Sequence, residues 1–196
     1  MKMVLDPPVS PPLGLRPKRV HEAGGRGRRS FALFQAARHP GPLVWITPAH
    51  LREYLLPAGL PAGVAERLHL LRPVGETDLL WCIEEVLRNP AVALVIAEPQ
   101  QPLSLTAGRR LQLAAEAGQT TGLLLSHEGG GSAASETRWH CEPAPGSEDS
   151  TLHHWQLKKN KRGTNGDWML HWDGATAAFH LVSKAGERHQ PAEQAR

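Results

Sequence analysis

The chain has 196 residues, 40% of them hydrophobic and 21% charged, with a formal net charge of +3 and a pI near 9.1. That length supports one α/β domain with a real core and little more, and the modest positive charge permits contact with nucleic acid without demanding it. Two cysteines, Cys82 and Cys141, do not make a secreted disulfide scaffold. No apolar run approaches the roughly 18 residues a membrane span needs. Met1–Lys18 carries Pro7, Pro8, Pro11, Pro12 and Pro17 in place of a signal-peptide core. The expectation is a cytoplasmic protein with no membrane partner.

Residues 1–18 read as an extended tail, because each proline removes a donor and blocks helix; residues 183–196 read as a polar tail, leaving 19–182 as a single domain. Arg19–Ala23 is a short strand, followed by Gly24, Gly25 and Gly27. Arg28–His39 is a helix so apolar around its circumference that it should be buried. Leu43–Ile46 is a continuous apolar strand, the pattern of a strand covered on both faces. A helical stretch is expected from about His50, and a short strand at Leu68–Leu71. Glu76–Arg88 is an amphipathic helix with Leu79, Leu80, Ile83, Val86 and Leu87 on one face. Val92–Ala97 is a second buried strand. Ser104–Gly118 is a helix capped by Ser104 or Thr106, whose small inner face lets it lie close to a sheet. Gly122–Leu125 is a third buried strand.

After residue 130 the pattern changes. Thr137–Glu142, His153–Lys159, Trp168–Trp172 and Ala177–Val182 read as strands separated by turn residues, with no room for helices between them. The expected fold class is therefore α/β: a parallel sheet flanked by helices and extended by C-terminal antiparallel strands.

That order resembles the RecA core. Ala91–Glu98 is similar to the Walker B strand of that fold, ending in an acid at Glu98. A closer resemblance is to the ImuA family, carried by Leu103-Ser104-Leu105-Thr106-Ala107-Gly108-Arg109-Arg110-Leu111 and its continuation to Ala117, by Gly122–Leu125, by Ser135-Glu136-Thr137-Arg138-Trp139, and by Pro143-Ala144-Pro145. It covers roughly residues 19–182. The resemblance implies an accessory protein of SOS mutagenesis and translesion synthesis, working beside an ImuB-like polymerase homologue, an error-prone C-family polymerase and RecA. SulA-type inhibitors of the division GTPase share the same general core and stand as the alternative, with a divergent ATPase as a third.

A phosphate-binding P-loop needs a lysine and a hydroxyl at the end of a longer glycine-rich turn. Gly24-Gly25-Arg26-Gly27-Arg28-Arg29-Ser30 has the right place, between strand and helix, and the wrong content. Arg28 is not a substitute for a compact ammonium. Where RecA relatives hold a catalytic Glu, after the second core strand, this chain has Ala49, which cannot polarise water. The expectation is no catalysis and no cofactor, with Gly24, Gly25, Gly27, Arg28, Ser30 and Glu98 as vestiges; residual anion binding at the helix N-terminus is the functional alternative to a plain turn.

Partner-binding candidates are Trp81, which lies opposite the apolar face of its helix, and Arg109, Arg110 and Leu113, which lie off the inner face of theirs. Gly129-Gly130-Gly131-Ser132 stands where RecA relatives carry a DNA-binding loop, yet has no cation until Arg138, so direct DNA binding is weakly supported. Lys158, Lys159, Lys161 and Arg162 near Trp155, Trp168 and Trp172 read as a lysine-protected edge hairpin rather than a base-stacking platform. His140, Cys141, His153 and His154 lack metal-site spacing, and no metal is expected.

Overall fold

The computed structural model describes residues 13–126, 131–146, 151–173 and 178–184. Its first half alternates strand and helix: β1 (Val20–Gly24), α1 (Arg28–Arg38), β2 (Leu43–Ile46), β3 (Leu68–Leu71), α2 (Glu76–Leu87), β4 (Leu94–Ala97), α3 (Leu105–Gly118) and β5 (Thr121–Leu125). Four strands follow with no helix between them among the described residues: β6 (Thr137–Ala144), β7 (Thr151–Asn160), β8 (Gly166–Asp173) and β9 (Ala178–Lys184).

All nine strands join one sheet in the order β3-β2-β4-β5-β1-β6-β7-β8-β9. Pairing is parallel from β3 to β6 and antiparallel from β6 to β9. The change follows from the connections. Parallel neighbours need crossovers long enough to hold a helix, and the turns after β6 are too short to supply one. The Ser104 hydroxyl accepts the Ala107 N–H and starts α3, as one of the two expected caps. Gly118 ends it where a Cβ would lie 2.1 Å from the Leu87 carbonyl oxygen, so only glycine lets α3 approach the end of α2.

The strand side chains divide between two cores. Leu43, Trp45, Leu94, Ile96, Leu123 and Leu125 face α1, whereas Val44, Ile46, Val95, Ala97 and Leu124 face α2 and α3. The α1 core continues under the antiparallel strands. The Phe31 ring lies 4.9 Å from Trp139 and 5.1 Å from Trp155, and Phe34 lies 5.0 Å from Trp155 and 5.6 Å from Phe179. One helix thus ties the parallel and antiparallel halves together. Each such aromatic pair contributes about 0.5–1.5 kcal/mol beyond its buried area.

Three local expectations change. No α-helix follows β2; residues 47–67 form a connection with short 3₁₀ turns at Pro57–Gly59 and Ala65–Arg67. Pro57 and Pro61 remove donors, and Gly63 sits at φ +71°, so the apolar residues there could not propagate a helix. At the N-terminus, Leu13 and Leu15 are buried in the α1 core, and the Gln35 side-chain amide donates to the Leu13 carbonyl at 2.7 Å. The packed chain therefore begins before residue 19, while residues 1–12 and 185–196 of the expected tails lie outside the described residues. Finally, the lysine-rich β7 is an interior strand paired on both sides, not an edge.

Buried His21 links β1 to the segment before it. Its Nδ1 lies 2.7 Å from the Thr137 hydroxyl and its Nε2 lies 2.9 Å from the Arg16 carbonyl. Burial pushes its pKa down from 6.5 to about 4, against partial support from the Arg16 carbonyl. The folded protein therefore holds this ring neutral at pH values where the unfolded chain takes up a proton. Its contribution to stability, about 3 kcal/mol, is complete above the unfolded pKa and is lost as pH falls from there towards the folded value. Urea unfolding at neutral pH and near pH 4.5 should show that loss, and His21→Gln should flatten the dependence. An equally steep dependence in the variant would contradict it.

Candidate functional site

Strand β1 ends at Gly24 and α1 begins at Arg28, so the Gly25-Arg26-Gly27 turn presents its amides at the C-terminal end of the parallel strands, where such sheets bind ligands. Here the amides meet the protein itself. The Gly27 N–H donates to the Cys141 carbonyl at 2.8 Å. The Arg26 N–H donates to Glu142 Oε1 at 3.0 Å, and its Nε donates to Oε2 at 2.8 Å. Arg26 holds the Glu142 carboxyl below the usual carboxylate range, first through its side-chain hydrogen bond. Gly25 has φ +88°, and a Cβ there would lie 2.3 Å from the Cys141 oxygen. Contact with β6 requires a glycine there. Arg28 Nη1 turns back to the Gly25 carbonyl at 3.1 Å, and no side chain caps α1.

Glu98 follows β4 and is buried. Arg29 donates to its Oε2 through Nη2 at 2.9 Å and Nε at 3.2 Å, and Trp45 Nε1 donates to Oε1 at 2.9 Å. Arg29 also pairs with Glu53. Both Glu98 oxygens are thus occupied by protein donors. The remaining cavity beside them is about 40 Å³, room for a few waters and far below the roughly 300 Å³ at which small-molecule pockets begin. Ala49 is exposed in the connection after β2, with its amide bonded to the Pro73 carbonyl at 2.9 Å. Ser30 is half-buried. The geometry therefore brings Gly25, Gly27 and Glu98 to one end of the sheet and fills that end with Glu142, Arg29 and Trp45.

Glu142 was invisible to sequence reasoning. It sits 116 residues from Arg26, and nothing in its own strand distinguishes it from a solvent-facing acid. The Arg29–Glu98 pair had a weak signal: an arginine where a P-loop approaches its lysine, and an acid ending an apolar strand.

The partner candidates separate into two patches. Trp81 is 63% exposed on α2 and lines a groove with Arg110 of α3. Arg110 Nη2 bonds Glu84 Oε2 at 2.6 Å, and Arg88 bonds the other Glu84 oxygen. Arg109 and Leu113 line a different surface, towards Arg19 and Lys161. A third apolar region escaped the sequence reading: Tyr54, Leu56, Leu70, Leu71 and Val74 are exposed on and around β3, the edge strand. Its strand pattern was legible, but its place at an edge depends on which strand pairs with which.

Of the cations at the end of β7, Lys158 and Arg162 are exposed, while two others are tied to backbone carbonyls. Lys159 Nζ donates to the Ala133 and Ser135 carbonyls at 2.8 and 3.0 Å, and Lys161 Nζ donates to that of Ala134 at 2.6 Å. Trp155 and Trp168 are core residues, so they offer no free ring for stacking. Ser132 N–H and Arg138 Nε both donate to buried Glu22, at 2.7 and 3.0 Å; Gly129 and Gly130 lie outside the described residues. Cys141 is buried, with its thiol pKa pushed up by burial, while His140 lies on the other face and His154 pairs with Asp167. Among the described residues no cluster of three or more His, Cys, Asp and Glu side chains could hold a metal ion, and no helix is long and apolar enough to cross a membrane.

No protein-family model matches the chain. The chain is 33% identical over 180 residues to the protein ImuA of Caulobacter vibrioides, in each of two strains, and the match covers 81% of this chain and 72% of that protein.

Removing Arg29 alone should strand a buried carboxylate. Arg29→Ala is expected to cost about 3 kcal/mol in chemical denaturation. Arg29→Met combined with Glu98→Leu, which removes both charges together, should recover most of that loss. Additive losses in the double variant would show that the pair is not coupled.

Proposed function

This chain belongs to the ImuA family, and from that premise we propose that it is a RecA-like, non-catalytic accessory protein of DNA-damage-induced mutagenesis. It acts in the cytoplasm by binding other proteins. The partners follow from the family: an ImuB-like polymerase homologue, an error-prone C-family polymerase, and RecA. The observation that carries the non-catalytic reading is the filling of the nucleotide-site position by the chain's own side chains. Glu142 takes up the loop amide of Arg26, and Arg29 with Trp45 takes up Glu98. Phosphoryl transfer runs on positioned cations around a nucleotide, and here those donors are committed to internal partners. The sheet order, with β1 between β5 and β6 and an antiparallel extension beyond, supports the RecA-like reading.

Binding falls to exposed surface, and the Trp81 groove is the first candidate. A large ring held at 63% exposure between Glu84, Arg110 and Leu80 is the kind of anchor that carries interface energy. Affinity purification from DNA-damaged cells should recover polymerase-like proteins or RecA. Trp81→Ala should lower that recovery about ten-fold, while leaving stability within about 0.5 kcal/mol of the parent. Recovery of the division GTPase without repair proteins would overturn this reading in favour of a SulA-like inhibitor.

A further inference from the structure

Helix α3 packs its small residues against the sheet and leaves a second stripe outside. Leu105, Arg109 and Leu113 stand at i, i+4 and i+8, along one face of the helix. The two leucines are 46% and 65% exposed. With Arg19 and Lys161 they line a groove of about 510 Å³ between α3 and the segment before β6, on a different face of α3 from the Trp81 groove. The groove is held in shape from within. The Gln112 side-chain oxygen accepts the Val20 N–H at 3.1 Å, and its amide donates to the Val20 and Ala134 carbonyls at 2.8 and 3.1 Å. A partner therefore meets a preformed surface.

The cations around this groove outnumber the acids. Arg19 pairs with Glu116 at 2.6 Å and Arg138 with Glu22 at 3.0 Å, while Arg16 and Arg162 share Glu136, with Asp167 beyond them. Setting each of those acids against one cation still leaves Lys18, Arg109, Lys159 and Lys161 without a carboxylate among the described residues. Lys18 is exposed beside Arg19, and its N–H bonds the Thr121 hydroxyl at this end of the sheet. The carbonyls that receive Lys159 and Lys161 hold the two ammonium groups in place but carry no net charge to cancel theirs. Like charge crowds here. The Lys159 pKa lies below its ordinary value, by burial first and then by the charges of Lys161 and Arg138, against the opposing pull of Glu22 and Glu136.

We propose that this groove docks an acidic amphipathic helix of a partner protein, its apolar stripe laid along Leu105 and Leu113 and its carboxylates met by Lys18, Arg109 and Lys161. Helices dock in grooves through apolar side chains at this spacing, and unneutralised charge steers the opposite charge in. A nucleic-acid strand would use the cations and leave the leucines idle. No aromatic side chain lines the groove to stack on a base.

The test is fluorescence anisotropy of the full chain with a labelled peptide of about fifteen residues, long enough for an isolated helix to be marginally stable. It carries leucine at every third or fourth position, with glutamate and alanine between. Saturable binding that weakens as salt is raised is expected. Arg109→Glu and, separately, Leu113→Glu should each weaken it about ten-fold. Both side chains are exposed, so the unfolding midpoint should not move. A peptide of the same composition with its leucines gathered at one end should bind about five-fold more weakly. Arg52→Glu, an exposed reversal at the other end of the sheet, and Trp81→Ala should each change affinity by less than about two-fold. No saturable binding, unchanged affinity in either groove variant, or equal binding of the rearranged peptide overturns the proposal. So does displacement by a DNA duplex at lower concentration than by unlabelled peptide, which would reassign the surface to nucleic acid. Binding here does not run through Trp81, so the two readings fail separately.

Discussion

A carboxylate buried at the end of a parallel strand has to be paired, and Glu98 sets the terms for everything around it. Leaving such a group uncompensated costs several kcal/mol. In a nucleotide-binding relative of this architecture, a bound cation and phosphates can meet that demand. Here Arg29, from the first turn of α1, and the Trp45 indole meet it. The same logic governs the preceding turn, whose amides would otherwise point outward as an anion site: the Cys141 carbonyl and Glu142 carboxylate close it from β6. Both groups are thus met by ligands from within the chain.

That replacement depends on β6 lying beside β1, and β6 is held there by α1. The rings of Phe31 and Phe34 reach Trp139, Trp155 and Phe179 on three antiparallel strands. Helix α1 therefore does two jobs through opposite features. Its apolar face fixes the register of the two sheet halves, and Arg29 near its start neutralises Glu98. Meanwhile α2 and α3 cover the other face and leave Trp81 and Leu113 outside the core. The surfaces left for partners are those that these packing duties do not use.

How much of this the sequence showed depends on the range of the interaction. Local patterns worked where one periodicity ruled. The unbroken runs Leu43–Ile46 and Leu94–Ala97 are strands buried on both faces, and the Leu79, Ile83 and Leu87 face packs as the helical spacing implies. They misled after His50, where apolar residues without a clear period were interrupted by Pro57 and Pro61. Lys158 to Arg162 read as an edge because lysine density is a local signal, whereas β7's two neighbours are set by pairing across the sheet. Arg26 with Glu142, and Arg16 with Glu136, join residues more than a hundred positions apart, and no local signal announces either. The candidates Trp81 and Arg110 proved to share a groove, while Arg109 and Leu113, their close neighbours in sequence, face elsewhere.

The proposal that the chain's own side chains stand where a relative would hold a nucleotide rests on Glu142, Arg29 and Trp45. Isothermal titration calorimetry of the native chain with magnesium-ATP tests it most directly. No saturable heat is expected up to millimolar nucleotide. Stoichiometric binding at micromolar concentrations would mean that Glu142 and Arg29 yield to phosphate, and would contradict it.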